Sequence, residues 1–433
     1  MGLLTASASV KAAVLIGISL LLLIPLGLLQ SLVAERTSQR DAAVASVARG
    51  WGDRQWVGGP VLAIPVTDGG NPQRTVDWFV LPESLDITVE LKVQDTRRRL
   101  GLYDVPVYIA RVQVKGQFDI AAATAMLARE CGSAARVHPE QARLILPIND
   151  PRGLRELTSD NKELHFEPGT GFPIPVMALP LDLSATASRT FELSFSLAGT
   201  QSLQFLPLGN VTHVQLQGNW PDPGFTDGFL PTERKLDARG FAASWQVLDV
   251  NRNYGNHWSA ELNSEQRLLA SGFGVELVQP VDIYQRCTRA VKYGGLFIAL
   301  SFLTLFLVEN LRRRPIHPIQ YGLMGLALSI FYLLLLALAE HTGFLVAYLI
   351  ATTALCVLTG VYLAAALRST RSGIVSGGCF AGTYALLYLL ITSESYALLA
   401  GALTLFALLA TTMILTRRID WYTQEVTRGD ISS

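Results

Sequence analysis

AAVLIGISLLLLIPLGLLQSLV, from Ala12 to Val33, runs for 22 residues without a charged side chain. About 20 apolar residues suffice for a helix to cross the hydrocarbon core of a bilayer, so this stretch reads as a spanning helix. A signal peptide has a shorter apolar region, about 7 to 15 residues, closed by a small-residue cleavage site, and the run therefore predicts an uncleaved anchor. Composition agrees. Of 433 residues, 50% are hydrophobic and 16% are Asp, Glu, Lys or Arg, where globular domains carry about a quarter charged. Lys and Arg together number 35, as do Asp and Glu, which removes the basic excess of a nucleic-acid binder and predicts no nucleic-acid partner.

A second apolar zone opens after Lys292, and charges and turn residues cut it into Tyr293–Val308, Tyr321–Ala339, Thr342–Leu367, Gly373–Ser393 and Ser395–Thr416. The first of these is short, so Lys292 or Glu309 must snorkel from its ends. Positive residues are retained in the cytoplasm. Arg312 to Arg314 lie between the second and third spans, Arg368 and Arg371 between the fourth and fifth, and Arg417 and Arg418 after the sixth. Six spans with both termini cytoplasmic satisfy every one of these loops.

Residues 34–289 then form one block outside the cytoplasm. Val44, Val47, Ala48 and Trp51 recur at helical spacing, so the first span is expected to continue outward as an amphipathic helix ending at Gly50. Beyond it the period becomes two, as in Phe191, Leu193, Phe195 and Leu197, with further strands expected around 61–66, 78–81, 87–93, 144–146, 203–206 and 211–216. Gly and Pro punctuate them, which reads as antiparallel sheet joined by turns, with a short helix near Ile120 to Glu130. Two smaller β domains are the alternative. The fold class expected is an α+β membrane protein with six transmembrane helices, one N-terminal and five C-terminal, and a large β-rich periplasmic domain inserted after the first. Its parts are 1–33, 34–289, 290–422 and a cytoplasmic tail at 423–433.

The chain contains no P-loop, G-x-S-x-G, H-E-x-x-H or dinucleotide fingerprint, and its six histidines stand singly, so no catalysis, cofactor or metal is expected. Asn149 to Arg152, and Asp222 with Asp227, are read as turn chemistry. Cys131 and Cys287 leave pairing open. In the fifth span Gly373, Gly377, Gly378 and Gly382 make two G-x-x-x-G pairs, the spacing that lets helices approach closely, within the chain or across a homodimer. Polar residues gather at the membrane edges: Lys292, Glu309, His317, Gln320, Tyr321, Asp420 and Trp421 as interface residues, and Glu340 with His341 at an outer turn. A carboxylate at a helix C-terminus opposes the macrodipole and calls for a partner, so Glu340 and His341 are the candidates for coupling the β domain to the membrane part.

GGPVLAIPVT at Gly58–Thr67, LPESL at Leu81–Leu85, NWPDPGF at Asn219–Phe225, AVKYGGLFIAL at Ala290–Leu300, HPIQYGLMGLAL at His317–Leu328, FYLLLLALAEHTGFLVAYLIA at Phe331–Ala351 and LTRRIDWY at Leu415–Tyr422 together give the chain a resemblance to the inner-membrane protein CreD family. The resemblance implies an envelope protein of Gram-negative bacteria under a sensor-kinase and response-regulator pair, linked to envelope integrity, colicin tolerance and β-lactam response. It implies no catalytic site. The expected function is a non-enzymatic envelope-stress factor in contact with membrane lipids, whose periplasmic domain binds an unknown envelope protein or cell-wall component. The competing expectations are a transporter or lipid-handling protein and, third, an envelope hydrolase.

Overall fold

A computed structural model describes residues 8–392 apart from 70–73, 95–97, 101–102, 133, 160–161, 226–227, 263, 278–282 and 313–315, together with scattered helical positions between 399 and 414. The chain divides into two compact units, one of residues 1–40 with 281–433 and one of residues 41–280.

Two helices open the chain, α1 (Ala8–Leu21) and α2 (Leu23–Trp51). The break between them lies one turn before Pro25, which has no N–H to offer the Leu21 carbonyl. The outward extension of the first span is present, but it passes Gly50 and stops at Trp51. Gly52, at φ 136°, makes the stop, and any Cβ there would meet the Ala198 carbonyl. The Trp51 indole fixes the helix end by donating to the Tyr108 carbonyl at 3.2 Å and lying under the Arg155 guanidinium.

In the β unit, Val61–Thr67 pairs antiparallel with Thr75–Val80 on one side and with Ala142–Pro147, then Arg136–Val137, on the other. Its side chains are sorted by the pleat. Val61 and Ala63 enter the main core with Leu85, Ile87, Val89 and Val214, residues of a second, eight-stranded sheet. Leu62, Ile64 and Val66 enter another cluster, closed by Ile120, Ala123 and Leu127 of α3 (Ile120–Glu130). Asp119 caps that helix by accepting from the Ala122 N–H at 2.8 Å. The unit is thus layered as sheet, sheet and helix.

The sheets are not wholly antiparallel, as the turn residues had suggested. Ser84–Val93 pairs parallel with Val211–Gly218, and Gln55–Gly58 parallel with Ser202–Leu206. Parallel partners need a long crossover. Here more than a hundred intervening residues supply it, beyond the reach of any turn-by-turn reading.

The other unit contains α5 (Ile283–Arg312), α6 (Pro318–Thr342), α7 (Phe344–Ala366) and α8 (Thr370–Thr392), while α4 (Glu265–Ala270) belongs to the β unit. Among the described residues four helices are long and apolar enough to cross a membrane: Ala13–Trp51, α6, α7 and α8. The expected second span lies inside α5, whose outer turns carry Arg286, Arg289 and Lys292. The expected sixth, Ser395–Thr416, falls largely outside the described residues. Gly343, at φ 81°, is the whole turn between α6 and α7, so the two form a tight hairpin, and Glu340 and His341, expected at the turn, lie in the last turn of α6.

Because Leu127 is fully buried where α3 covers the sheet, Leu127→Ala should destabilise the β unit by about 2 to 5 kcal/mol. Tryptophan-monitored thermal unfolding of the purified protein would report it as a lower midpoint. A wild-type midpoint would show that α3 is dispensable to that core.

Candidate functional site

The outward face of the eight-stranded sheet is built by alternation: Leu85, Ile87, Val89 and Leu91 are buried, and Asp86, Thr88 and Lys92 between them are exposed. Strand register then aligns neighbours. Thr158 stands opposite Ser194, Ser194 opposite Gln113, and Gln113 opposite Thr88. Thr88 in turn faces Gln215, Gln215 faces Ser244, and Ser244 faces Glu233. This is one row of amide and hydroxyl side chains running across six strands and ending at the Glu233 carboxylate on a seventh. Two shallow grooves follow it, of about 330 and 400 Å³, both bordered by Thr88 and Gln217.

The rows on either side carry charge, and several of these charges are paired. Arg111 and Lys92 lie 3.5 and 2.9 Å from the Glu90 carboxylate. The hydrogen bond from Lys92, with Arg111 nearby, holds the Glu90 carboxyl below its ordinary value. Lys115 lies 3.1 Å from Glu192, which also accepts from Gln113 at 2.7 Å. One irregularity shapes the face. Glu156, at φ 50°, is an extra residue between the pairs Arg155–Ser196 and Leu157–Phe195, and it keeps Leu157 inward and Thr158 outward.

At the turn singled out in the sequence, Asp150 is buried. Its carboxylate accepts from the Asp53 N–H at 3.0 Å and from Arg152 Nε at 2.8 Å. Burial pushes its pKa up, but the hydrogen bonds from Arg152 and the backbone outweigh this and hold it below the usual carboxylate range. Asn149 donates to the Arg54 carbonyl at 2.7 Å. The cap bond expected of a turn is the one from the Arg152 N–H to Asp150 at 3.1 Å, whereas the bonds to Asp53 and Arg54 tie this turn to the distant segment that leads into Gln55–Gly58. Asp227 lies outside the described residues. Among the described residues no three His, Cys, Asp or Glu side chains converge as a metal centre would need.

Glu340 ends α6 with its side chain 8% exposed. The Tyr284 hydroxyl at the start of α5 donates to it at 3.1 Å, and Arg36 Nε of α2 lies 3.8 Å away. The partner that a carboxylate at a helix C-terminus calls for is therefore supplied by two other helices of the same unit. His341 turns back instead, its Nδ1 lying 3.2 Å from the Ala337 carbonyl.

The expected inner-edge residues divide into two structural groups. His317 and Gln320 cap α6 reciprocally, His317 Nδ1 accepting from the Ile319 N–H and Gln320 Oε1 from the His317 N–H. The buried Tyr321 hydroxyl donates to the buried Glu309 carboxylate at 2.8 Å. Lys292 is exposed on α5, and Asp420 and Trp421 lie outside the described residues. Of the glycines, Gly373 and Gly377 of α8 lie against Gly360 of α7, whereas no described residue would touch a Cβ at Gly378 or Gly382. Cys131 and Cys287 are free thiols.

The polar row was missed by the sequence reading. Each strand's period of two was visible, but which polar residue stands beside which is set by register. No local signal carries that.

A protein family described as Inner membrane protein CreD matches residues 7–422. The inner membrane protein CreD of Escherichia coli (strain K12) is 33% identical over 434 residues, covering 95% of this chain and 93% of that one. Among solved structures, a putative nutrient binding protein from Legionella pneumophila subsp. pneumophila str. Philadelphia 1 is similar at 9% identity. That likeness covers 48% of this chain and 70% of the other with a TM-score of 0.27, too loose to argue from.

Two predictions follow from these placements. Gly373→Leu should separate α8 from α7 and lower the protein's abundance in membranes, while Gly382→Leu should leave abundance near wild type; quantitative immunoblotting of both distinguishes them, and equal losses would refute the assignment. Since the folded pKa of Asp150 is depressed, its contribution to stability is complete above the ordinary carboxylate value of about 4 and is lost as pH falls through the folded value. Denaturation midpoints of Asp150→Asn should accordingly be lower than wild type at neutral pH and converge with it in acid.

Proposed function

The chain belongs to the CreD family of inner membrane proteins, and from that premise we propose that it is a non-enzymatic envelope-integrity factor whose β unit stands in the periplasm and binds an envelope component on the outward face of its eight-stranded sheet. Six helices anchor it, with both termini cytoplasmic. The row from Thr158 to Ser244 is the observation that carries this reading, because its amides and hydroxyls are presented to solvent while Arg111 and Lys115 beside them are engaged by carboxylates. Topology draws support from the alternate Arg-bearing loops. Glu340 serves as a coupling residue by tying together α2 and α5, the helices that lead into and out of residues 41–280, with His341 beside it at the turn.

Lipid handling is the second reading, favoured by the interior of the membrane unit. Tyr332 and Tyr384 are buried there with their hydroxyls beside each other, and the buried Ser376 Oγ has no hydrogen-bond partner among the described residues. Orphaned polar groups in an apolar surrounding are costly, and a polar group on a membrane-borne ligand would satisfy them.

Two measurements test the leading reading. In a cysteine-free variant, a single cysteine at Asp68 should react with an impermeant thiol reagent added outside the inner membrane, and one at Arg371 should not; the reverse pattern rejects the topology. A photo-crosslinking residue at Gln215 in intact cells should capture envelope material that the same residue at Glu261 does not. Equal capture at both positions would remove the binding face.

A further inference from the structure

The polar row is the feature whose chemistry can be taken further, and, resting on the reading of that face as the envelope-binding site, we infer that its ligand is a neutral glycan strand lying along the row, across the strands. Thr158, Ser194, Gln113, Thr88, Gln215 and Ser244 are uncharged. Each hydroxyl is both donor and acceptor, and each Gln amide presents a donor and an acceptor side by side. Polyhydroxylated sugars offer the same mixture, so the row can pair with sugar hydroxyls and acetamides, with Thr158, which donates to the Ser194 carbonyl, serving as an acceptor.

Charge, hydrophobicity and shape decide against the other occupants. An anionic polymer would call for free cations along the row, but Arg111 and Lys92 share Glu90 and Lys115 is engaged by Glu192. Arg234 and Lys235 at the edge strand stand beside Glu233. A protein partner anchors on buried aromatic side chains. Among the described residues, no Trp, Tyr or Phe stands in the row or in the rows beside it. Enclosed pockets suit small ligands, whose surface they largely bury, whereas these grooves are shallow and meet at Thr88 and Gln217. Six strands at the usual spacing make the uncharged row about 24 Å long, the dimension of an extended oligosaccharide.

Such contacts are individually weak, and affinity therefore grows with ligand length until the row is filled. Purified full-length protein in detergent micelles is titrated calorimetrically with N-acetylglucosamine oligomers from the disaccharide to the hexasaccharide, and with oligogalacturonate as an anionic control. The expected result is affinity that rises with length and changes little with salt, because the ligand is uncharged. Gln113→Ala/Gln215→Ala should weaken binding about tenfold, the loss of two hydrogen-bonding amides. Gln117→Ala/Gln246→Ala, on the same sheet but off the row, should not. Absence of binding, equal losses in the two double variants, or a salt-sensitive preference for the galacturonate would overturn the inference. If oligosaccharides fail while the crosslinker at Gln215 still captures envelope material, the glycan assignment falls and the envelope-binding reading stands; if both fail, both fall.

Discussion

Strand Val61–Thr67 has no face left for water, and the β unit is arranged around that fact. Odd residues need a sheet opposite them and even residues need another cover, so one side meets the eight-stranded sheet and the other meets α3. Antiparallel strands usually alternate apolar with polar because one face is wet; VLAIPVT does not, because neither face is. Its proline is placed where it does least harm. Pro65 has no N–H for a ladder bond, and it sits where the strand's neighbour changes from Ala142–Pro147 to Arg136–Val137. There its carbonyl accepts from the His138 N–H at 2.9 Å.

A different constraint governs the membrane unit. Helices satisfy their own backbones in lipid, but a side-chain carboxylate withdrawn from water must find partners of its own. Glu340 is such a group, and at a helix C-terminus the macrodipole adds to its cost. Arg36 and Tyr284 meet that need from two other helices, so one acidic residue ties α2, α5 and α6 to one another at one end of the unit. At the other end of α6, Glu309 and Tyr321 repeat the arrangement between α5 and α6. Conventional reading would file both carboxylates under interfacial anchoring, but their burial and partners make them ties between helices.

How much of this was legible depended on whether the signal was local. The anchor, the hairpin at Gly343, the helix at Ile120–Glu130 and strands such as Val61–Thr67 and Val211–Gly218 are written in run length and periodicity. Glu233–Asp237 was not, because all five of its residues are exposed and no alternation marks them. Parallel pairing of Ser84–Val93 with Val211–Gly218 was hidden by sequence distance, and the partners of Glu340 by the same cause, since Arg36 is some three hundred residues away. Gly377 and Gly382 look alike in a G-x-x-x-G pattern, yet only the first meets a neighbouring described helix. Helix phase against a neighbour decides that, and the pattern alone does not contain it.

The same reasoning bears on the polar row. A strand that buries one face will show polar residues on the other, so amides and hydroxyls on an outer face need no special cause. Their alignment into one uncharged row between charged ones is a property of register, and register on this sheet is held in place at a visible cost. Without the bulge at Glu156, continued pairing from Arg155–Ser196 would set Glu156 opposite Phe195 in the core and Leu157 opposite Ser194 on the surface. A one-residue slip of that kind inverts the remainder of a strand. The bulge puts a non-glycine residue at positive φ, an uncommon conformation, and by doing so returns Leu157 to the core and brings Thr158 to the row. The hydrophobic requirement and the polar one are met by the same insertion, and the row reaches one strand further than regular pairing would allow.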